Sequence, residues 1–133
     1  MKYYTDGFMT GSNPSPIGGG YTIVDENNVL VHREVILQSG FTNNEAETRG
    51  IIHALRIANN NDTISTDSMC CLTWINSGKS KARPDLYEVL QEGRRLLKEK
   101  NINLMWEGRE FNLAGIQNEQ NLETKKKYKR LMI

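Results

Sequence analysis

Asn43-Asn44-Glu45-Ala46-Glu47-Thr48-Arg49-Gly50-Ile51-Ile52-His53-Ala54-Leu55-Arg56-Ile57-Ala58 is the stretch on which the reading of this chain turns. Ile51, Ala54, Leu55 and Ala58 recur at helical spacing and form one apolar stripe, which the run Asn59-Asn60-Asn61 then breaks. At about 100° per residue, Glu47 falls within about 40° of Ile51 and about 20° of Ala58, on the side that packs inward. Glu45 points about 160° away and is expected to face solvent. A bare carboxylate on a buried stripe costs several kcal/mol unless a charge meets it, and neither Lys nor Arg stands one turn along this stripe. A divalent cation resolves that cost.

Outward from this helix the pattern changes. Upstream, Lys2 to Asp6, Gly20 to Val24 and Val29 to Gln38 read as strands, the last two separated by the turn-rich Asp25-Glu26-Asn27-Asn28. They suggest an antiparallel meander of three strands. Downstream, a short strand from Thr63 to Thr66 stops at Asp67, and a short helix follows from about Ser68 to Asn76. A longer helix opens at Pro84 and Asp85 and carries Leu86, Val89, Leu90, Leu96 and Leu97. A strand from Ile102 to Trp106 and a last helix starting near Asn112 complete the order β-β-β-α-β-α-α-β-α, that of an α/β domain. The 133 residues suit one domain, 1–133, without internal repeat or linker, closing in a basic helix or tail at about 121–133.

Asp6 closes the first strand and Asp67 the fourth. Ligands gather at the carboxyl ends of strands in open α/β sheets, so parallel neighbours there would set these carboxylates side by side. Read singly, Asp6 as the start of a turn and Asp67 as a helix cap remain open alternatives. Together with Glu47 they form an all-oxygen set suited to Mg²⁺ or Mn²⁺, not to zinc. His32 and His53 read as surface or boundary residues, His53 lying about 120° off the apolar stripe. Gly18-Gly19-Gly20 reads as a tight turn before a strand, not a phosphate cradle, because no helix follows. Gly78-Lys79-Ser80 fails as a P-loop because Thr73 stands where the first glycine is required.

Hydrophobic residues at 38% and charged residues at 25% exclude a disordered or membrane-spanning class. With net charge +1, affinity for a polyanion has to come from local patches and bound metal. Cys70 and Cys71 are adjacent, read as small buried helix residues of a reducing compartment. The N-terminal Met1-Lys2-Tyr3-Tyr4-Thr5-Asp6 lacks the apolar stretch of a secretory signal, so a cytoplasmic location is the expectation.

Nearly the whole chain resembles ribonuclease HI. The resemblance is carried, in order, by Tyr4-Thr5-Asp6-Gly7, Asn13-Pro14-Ser15-Pro16 with Gly19-Gly20-Tyr21, Thr42-Asn43-Asn44-Glu45-Ala46-Glu47, Ser65-Thr66-Asp67-Ser68 and Arg109-Glu110-Phe111-Asn112-Leu113-Ala114. It implies a five-stranded mixed sheet, strands 1–3 antiparallel and strands 4 and 5 parallel to strand 1, flanked by helices. It also implies hydrolysis of the RNA strand of an RNA/DNA hybrid, leaving 5′-phosphate and 3′-hydroxyl ends. Two Mg²⁺ ions, with Mn²⁺ as a substitute, would sit about 4 Å apart on the carboxylates. By the resemblance Asp6 bridges both ions, Glu47 holds the ion near the leaving group, and Asp67 helps hold the ion near the nucleophile. Asn13, Thr42, Asn43 and Asn44 match positions that contact phosphates, 2′-hydroxyls and base edges. For Thr42 and Asn43 helix capping is an alternative that coexists with binding.

The chain departs from the family at several points. Gly115 stands where the family places a fourth acid, and Glu119, one turn on and about 40° around, is the candidate replacement as catalytic residue and metal ligand, the alternatives being a solvated surface glutamate and a site that runs on three acids. No loop histidine precedes the last helix, Met69 follows the Thr-Asp-Ser motif where some members carry glutamine, and an additional basic helix is lacking. Lys79, Lys81, Arg83 and Lys125-Lys126-Lys127-Tyr128-Lys129-Arg130 are the candidates for hybrid affinity, with a simply solvated charge run the commoner alternative for such a tail. No membrane or obligate protein partner is expected, and the chain reads as a monomer. Competing readings are a catalytically silent hybrid- or duplex-binding module, favoured by Gly115, and a metal nuclease acting on DNA. The intact acids argue against the first, and Thr42-Asn43-Asn44 favours RNA over the second.

Overall fold

A computed structural model describes residues 1–121. The basic segment expected at the C-terminus lies, from residue 122 on, outside the described residues. Five strands, β1 (Lys2–Met9), β2 (Gly18–Asp25), β3 (Leu30–Leu37), β4 (Thr63–Thr66) and β5 (Asn103–Trp106), form one sheet in the order β3-β2-β1-β4-β5. β1, β2 and β3 pair antiparallel; β4 is parallel to β1, and β5 to β4. The expected mixed sheet is therefore the observed one.

Helices α1 (Asn43–Ile57), α2 (Met69–Ser77) and α3 (Tyr87–Glu99) enclose the main core, and a single tight turn, Pro84–Leu86, leads into α3. A fourth helix, α4, begins at residue 113 and is described to 121. Each start has a local cause. Thr42 caps α1 by accepting from the Glu45 N–H, Ser68 caps α2 by accepting from Cys71, and Asn112 Oδ1 accepts from Ala114 and Gly115 at the start of α4. Gly78 ends α2 in the left-handed conformation at φ 73°.

The core lies between the helices and one face of the sheet, where Ile23 and Ile64 meet Ile51, Ile52, Leu55, Ile75 and Leu90. The stripe Ile51, Ala54, Leu55 and Ala58 is buried as its spacing predicts. Arg33 of β3 and Thr22 of β2, on the opposite face, both hydrogen-bond Asn118 of α4. The order of elements thus puts α1 and α4 on either side of the central strand, β1.

Four expectations need correction. Strand β1 does not end at Asp6 but runs on to Met9, because β2 continues to pair with it as far as Gly19. Gly18, Gly19 and Gly20 lie inside β2 and not in a turn, in tight contact with their neighbours: a Cβ on Gly20 would stand 1.9 Å from the Glu34 carbonyl oxygen. Cys71 is buried but Cys70 is exposed, since adjacent helix positions point about 100° apart. Glu45 is 1% exposed, not solvent-facing, because Arg83 and Arg49 close over it at 2.9 and 2.8 Å.

Gly20→Ala should destabilise the fold by about 1–3 kcal/mol through overpacking of β2 against β3, read from urea denaturation. An unchanged midpoint would contradict so close a packing of the two strands.

Candidate metal centre

The last paired residues of the parallel strands β1 and β4 are Thr5 and Thr66, so the next residues of each, Asp6 and Asp67, stand side by side. Glu47 comes to them from α1, which packs closely on β1. At the contact point β1 carries Gly7, where a Cβ would stand 2.8 Å from the Glu47 nitrogen and 2.9 Å from Ala46 Cβ. No larger residue admits the helix at this depth.

The Gly7 N–H donates to Glu47 Oε1 at 3.0 Å. Oε2 of the same carboxylate is buried without a hydrogen-bond partner among the described residues, and Glu47 as a whole is only 4% exposed. One carboxylate oxygen from each of Asp6, Glu47 and Asp67 lies within 4.8 Å of the others. With Asn43, Ser68 and Arg109 the three acids line a cavity of about 250 Å³.

Burial first, and then the Asp67 charge, work against ionisation of Asp6 and Glu47. Burial pushes Asp6 up from 3.8 to about 6, partly offset by the hydrogen bond from Asn118. Glu47 is driven well above its ordinary range by burial first, then by the charges of Asp6 and Asp67. Three acids crowded with an orphaned buried oxygen are the donor set a hard divalent cation satisfies, and they fit Mg²⁺ or Mn²⁺. Among the described residues no lysine or arginine hydrogen-bonds these three carboxylates; Arg109 lines the cavity and acts on Asp6 through space.

Two asparagines hold the acids, and sequence reasoning assigned no role to either. Buried Asn112 donates from Nδ2 to Asp67 Oδ2 at 3.1 Å and to the Thr5 carbonyl at 2.9 Å, while its Oδ1 caps α4. Asn118 donates to Asp6 Oδ2 at 2.9 Å, and its own oxygen accepts from Thr22 at 2.7 Å and Arg33 at 3.2 Å. An asparagine at the expected start of the last helix was a weak signal for Asn112 as a cap, and gave no sign of its contact with Asp67. Nothing local signals Asn118, whose partners are far away in sequence.

Gly115 lies where a side chain would meet the centre, its Cβ position being 3.5 Å from Asp6 Oδ2. Glu119 is exposed, lies outside the cluster of three, and lines an adjoining cavity of about 600 Å³ that also reaches Asp6, Arg33 and Arg109. Of the candidate substrate contacts, Asn13 and Asn43 are brought together by a 3.0 Å bond from the Asn43 N–H to Asn13 Oδ1. Thr42 accepts from Arg83, and Asn43 and Asn44 are exposed at the start of α1. Lys79 and Lys81 are exposed, whereas Arg83 is engaged by Glu45, Asp85 and Thr42.

A five-stranded sheet in this order, with acids meeting beside its central strand, defines a protein of the ribonuclease H-like class. The chain belongs to the ribonuclease H family: the family described as reverse transcriptase-like matches residues 4–116. Among solved structures it is similar to RNase H1 from the halophilic archaeon Halobacterium salinarum NRC-1, at 24% identity and TM-score 0.62 over 85% of this chain and 89% of that one. It is equally similar to the N-terminal RNase H domain of a Mycobacterium tuberculosis protein, at 24% identity and TM-score 0.62 over 85% and 90%. LC11-RNase H1, from compost and solved in complex with an RNA/DNA hybrid, aligns at 26% identity and TM-score 0.59 over 84% and 87%. No curated protein sequence matches the chain. Among the described residues no helix is long and apolar enough to cross a membrane.

The raised Asp6 value sets the sign of a pH effect. Its contribution to stability is full below the unfolded value near 3.8 and is lost as pH rises through about 6, because folding disfavours the ionised form. In EDTA, Asp6→Asn should therefore be more stable than wild type at pH 8, with the advantage fading toward pH 4, measured by urea denaturation. Saturating Mg²⁺ at pH 8 should raise the melting temperature of wild type and leave that of Asp6→Asn unchanged. A variant less stable than wild type at pH 8 without metal would contradict the crowding of the acids.

Proposed function

We propose that the protein is an endoribonuclease that hydrolyses the RNA strand of RNA/DNA hybrids, leaving 5′-phosphate and 3′-hydroxyl ends. The observation that carries this reading is the convergence of Asp6, Glu47 and Asp67 around a buried carboxylate oxygen without a hydrogen-bond partner among the described residues. Its family supports a nuclease, and similarity to an RNase H1 solved with an RNA/DNA hybrid supports the substrate class.

Asp6, Glu47 and Asp67 would hold two divalent ions, Mg²⁺ by the chemistry of the donors. Bound ions supply activation of an attacking water and charge stabilisation at the leaving 3′-oxygen. The protein's part is to hold the three acids together and fixed, so that a bound cation would keep them ionised. Asn118 and Asn112 hold Asp6 and Asp67 through their side-chain amides, and the Gly7 N–H fixes Glu47.

Asn13, Thr42, Asn43 and Asn44 would contact the hybrid at the start of α1, where helix N–H groups and neutral amides suit phosphate and 2′-hydroxyl oxygens. Asn43 lines the same cavity as the acids, which puts recognition and cleavage within reach of one nucleotide step. Thr42 is fixed by Arg83 and caps the helix, so its part in binding is shared with a part in folding. Glu119 would approach the centre from the adjoining cavity in place of the acid missing at Gly115. The chain acts as one domain in this reading, in the cytoplasm and without an obligate protein partner.

A catalytically silent hybrid-binding module is the second reading, favoured by the bare Gly115 beside Asp6. A labelled hybrid, a DNA duplex and an RNA duplex incubated with Mg²⁺, Mn²⁺ or EDTA separate the two. Metal-dependent loss of the hybrid's RNA strand is expected, reduced more than about 100-fold by Asp6→Asn or Glu47→Gln. Wild type and Asp6→Asn binding the hybrid equally while both remain inert would establish the silent module.

Glu119→Gln should slow cleavage and raise the metal concentration needed, with Gly115→Asp restoring both in the double variant. An unchanged rate and metal requirement in Glu119→Gln would remove that residue from the site.

A further inference from the structure

The two histidines of the chain meet on the helix-covered face of the sheet, near its β3 edge. His32 lies opposite Ile23 of β2, and Glu34, two residues on, shares its face. His53 reaches them from α1. Three residues earlier that helix carries Gly50, where a Cβ would stand 3.1 Å from Tyr21 Cβ, so the helix can settle closely on Tyr21. The two imidazole rings are 4.2 Å apart, centroid to centroid. One ligand atom from each of His32, Glu34 and His53 lies within 4.8 Å of the others. His32 Nε2 and Glu34 Oε1 are 3.3 Å apart, the edge length of a tetrahedron built on zinc bonds of about 2.0 Å.

Tyr21 sets the chemistry of this cluster. Its hydroxyl donates to Glu34 Oε2 at 3.1 Å and also faces His53 Nδ1 at 2.5 Å. A phenol has one proton to give. With that proton on Glu34, His53 Nδ1–H donates to the phenol oxygen and the lone pair of the ring resides on Nε2. A ring nitrogen tied by a hydrogen bond, with the other left basic, is the arrangement that metal-ligating histidines adopt.

Neither nearby guanidinium is held by Glu34. Arg56 makes bonds of 2.7 and 2.8 Å to Glu92, and Arg49 pairs with Glu45 at 2.8 Å. The side chains of His32 and Glu34 are 36% and 47% exposed, leaving an entry path for an ion and room for water to complete its shell.

We propose that His32, Glu34 and His53 form a second metal site, selective for Zn²⁺, that clamps β3 to α1 with Tyr21 as its hydrogen-bonding support. Two imidazoles and one carboxylate suit zinc and disfavour Mg²⁺, whereas the three acids beside β1 have the opposite preference. The two centres therefore sort different ions on one small domain. This assignment stands independently of the proposed nuclease activity. Its structural effect is to tie the edge strand β3 to the helix that carries Glu47.

The test uses the full chain carrying Asp6→Asn and Asp67→Asn, so that the acidic centre no longer competes for metal. Calorimetric titration with Zn²⁺ is expected to give one ion per chain and a raised melting temperature, and Co²⁺ in its place should give visible d–d absorption. Adding His32→Gln and His53→Gln should abolish all three signals, and Tyr21→Phe should weaken Zn²⁺ binding about 10- to 100-fold. Glu34→Gln, on the exposed side of the cluster, provides the same test if the histidine variants fail to fold, and circular dichroism separates the cases. Zinc binding of unchanged stoichiometry in the histidine variants, or in a folded Glu34→Gln variant, would overturn the proposal. So would absence of Zn²⁺ binding at micromolar concentrations by the folded Asp6→Asn/Asp67→Asn protein.

Discussion

The rest of this structure depends on a carboxylate placed where carboxylates are least stable. Glu47 is buried against β1, one oxygen held by the Gly7 N–H and the other without a hydrogen-bond partner among the described residues, with the charges of Asp6 and Asp67 acting on it. Left alone, this arrangement opposes folding, because burial and like charge both favour the neutral forms. The fold maintains it with well-packed surroundings. Ile51, Ala54 and Leu55 anchor the helix in the core, and Gly7 lets that helix sit deep enough for the acid to reach.

The supporting polar groups are neutral. Side-chain amides from Asn112 and Asn118 meet the acids, while the ion pairs closest by, Arg83 and Arg49 on Glu45, lie on another side of α1. An arginine or lysine in place of either amide would neutralise the acids permanently and leave them little affinity for a cation. Amides orient the oxygens and keep their charge available. The acids are therefore held at a cost to folding, which a bound cation would offset.

The order of elements along the chain was legible from local patterns, because alternating β-branched runs, breaker clusters and one helical stripe fix element types, whereas the arrangement of the strands in the sheet came from the family resemblance. Glu47 was legible too, since helical phase alone separates it from Glu45. Phase, however, gives a direction and not what covers it. Glu45 was assigned to solvent, yet Arg83, from a loop before α3, closes over it. Asp6 and Asp67 read equally well as a turn and a cap until family resemblance joined them, because strand neighbours are not visible in sequence. Asn118 was illegible for the same reason: its partners, Asp6, Thr22 and Arg33, come from strands 112, 96 and 85 residues away in sequence. The glycines of β2 were read as a turn because sequence shows that a side chain is missing, not which backbone takes its place. The histidines looked unrelated for a similar reason, one on an edge strand and one off the stripe of a helix that packs against it.

Diffraction from crystals grown with Mn²⁺, recorded at a wavelength where manganese scatters anomalously, tests the central claim most directly. The account predicts anomalous density among Asp6, Glu47 and Asp67, within bonding distance of the Glu47 oxygen that now has no partner. Carboxylates found in this arrangement with no anomalous density at saturating Mn²⁺, and with a water or protein group bonded to that oxygen instead, would contradict it.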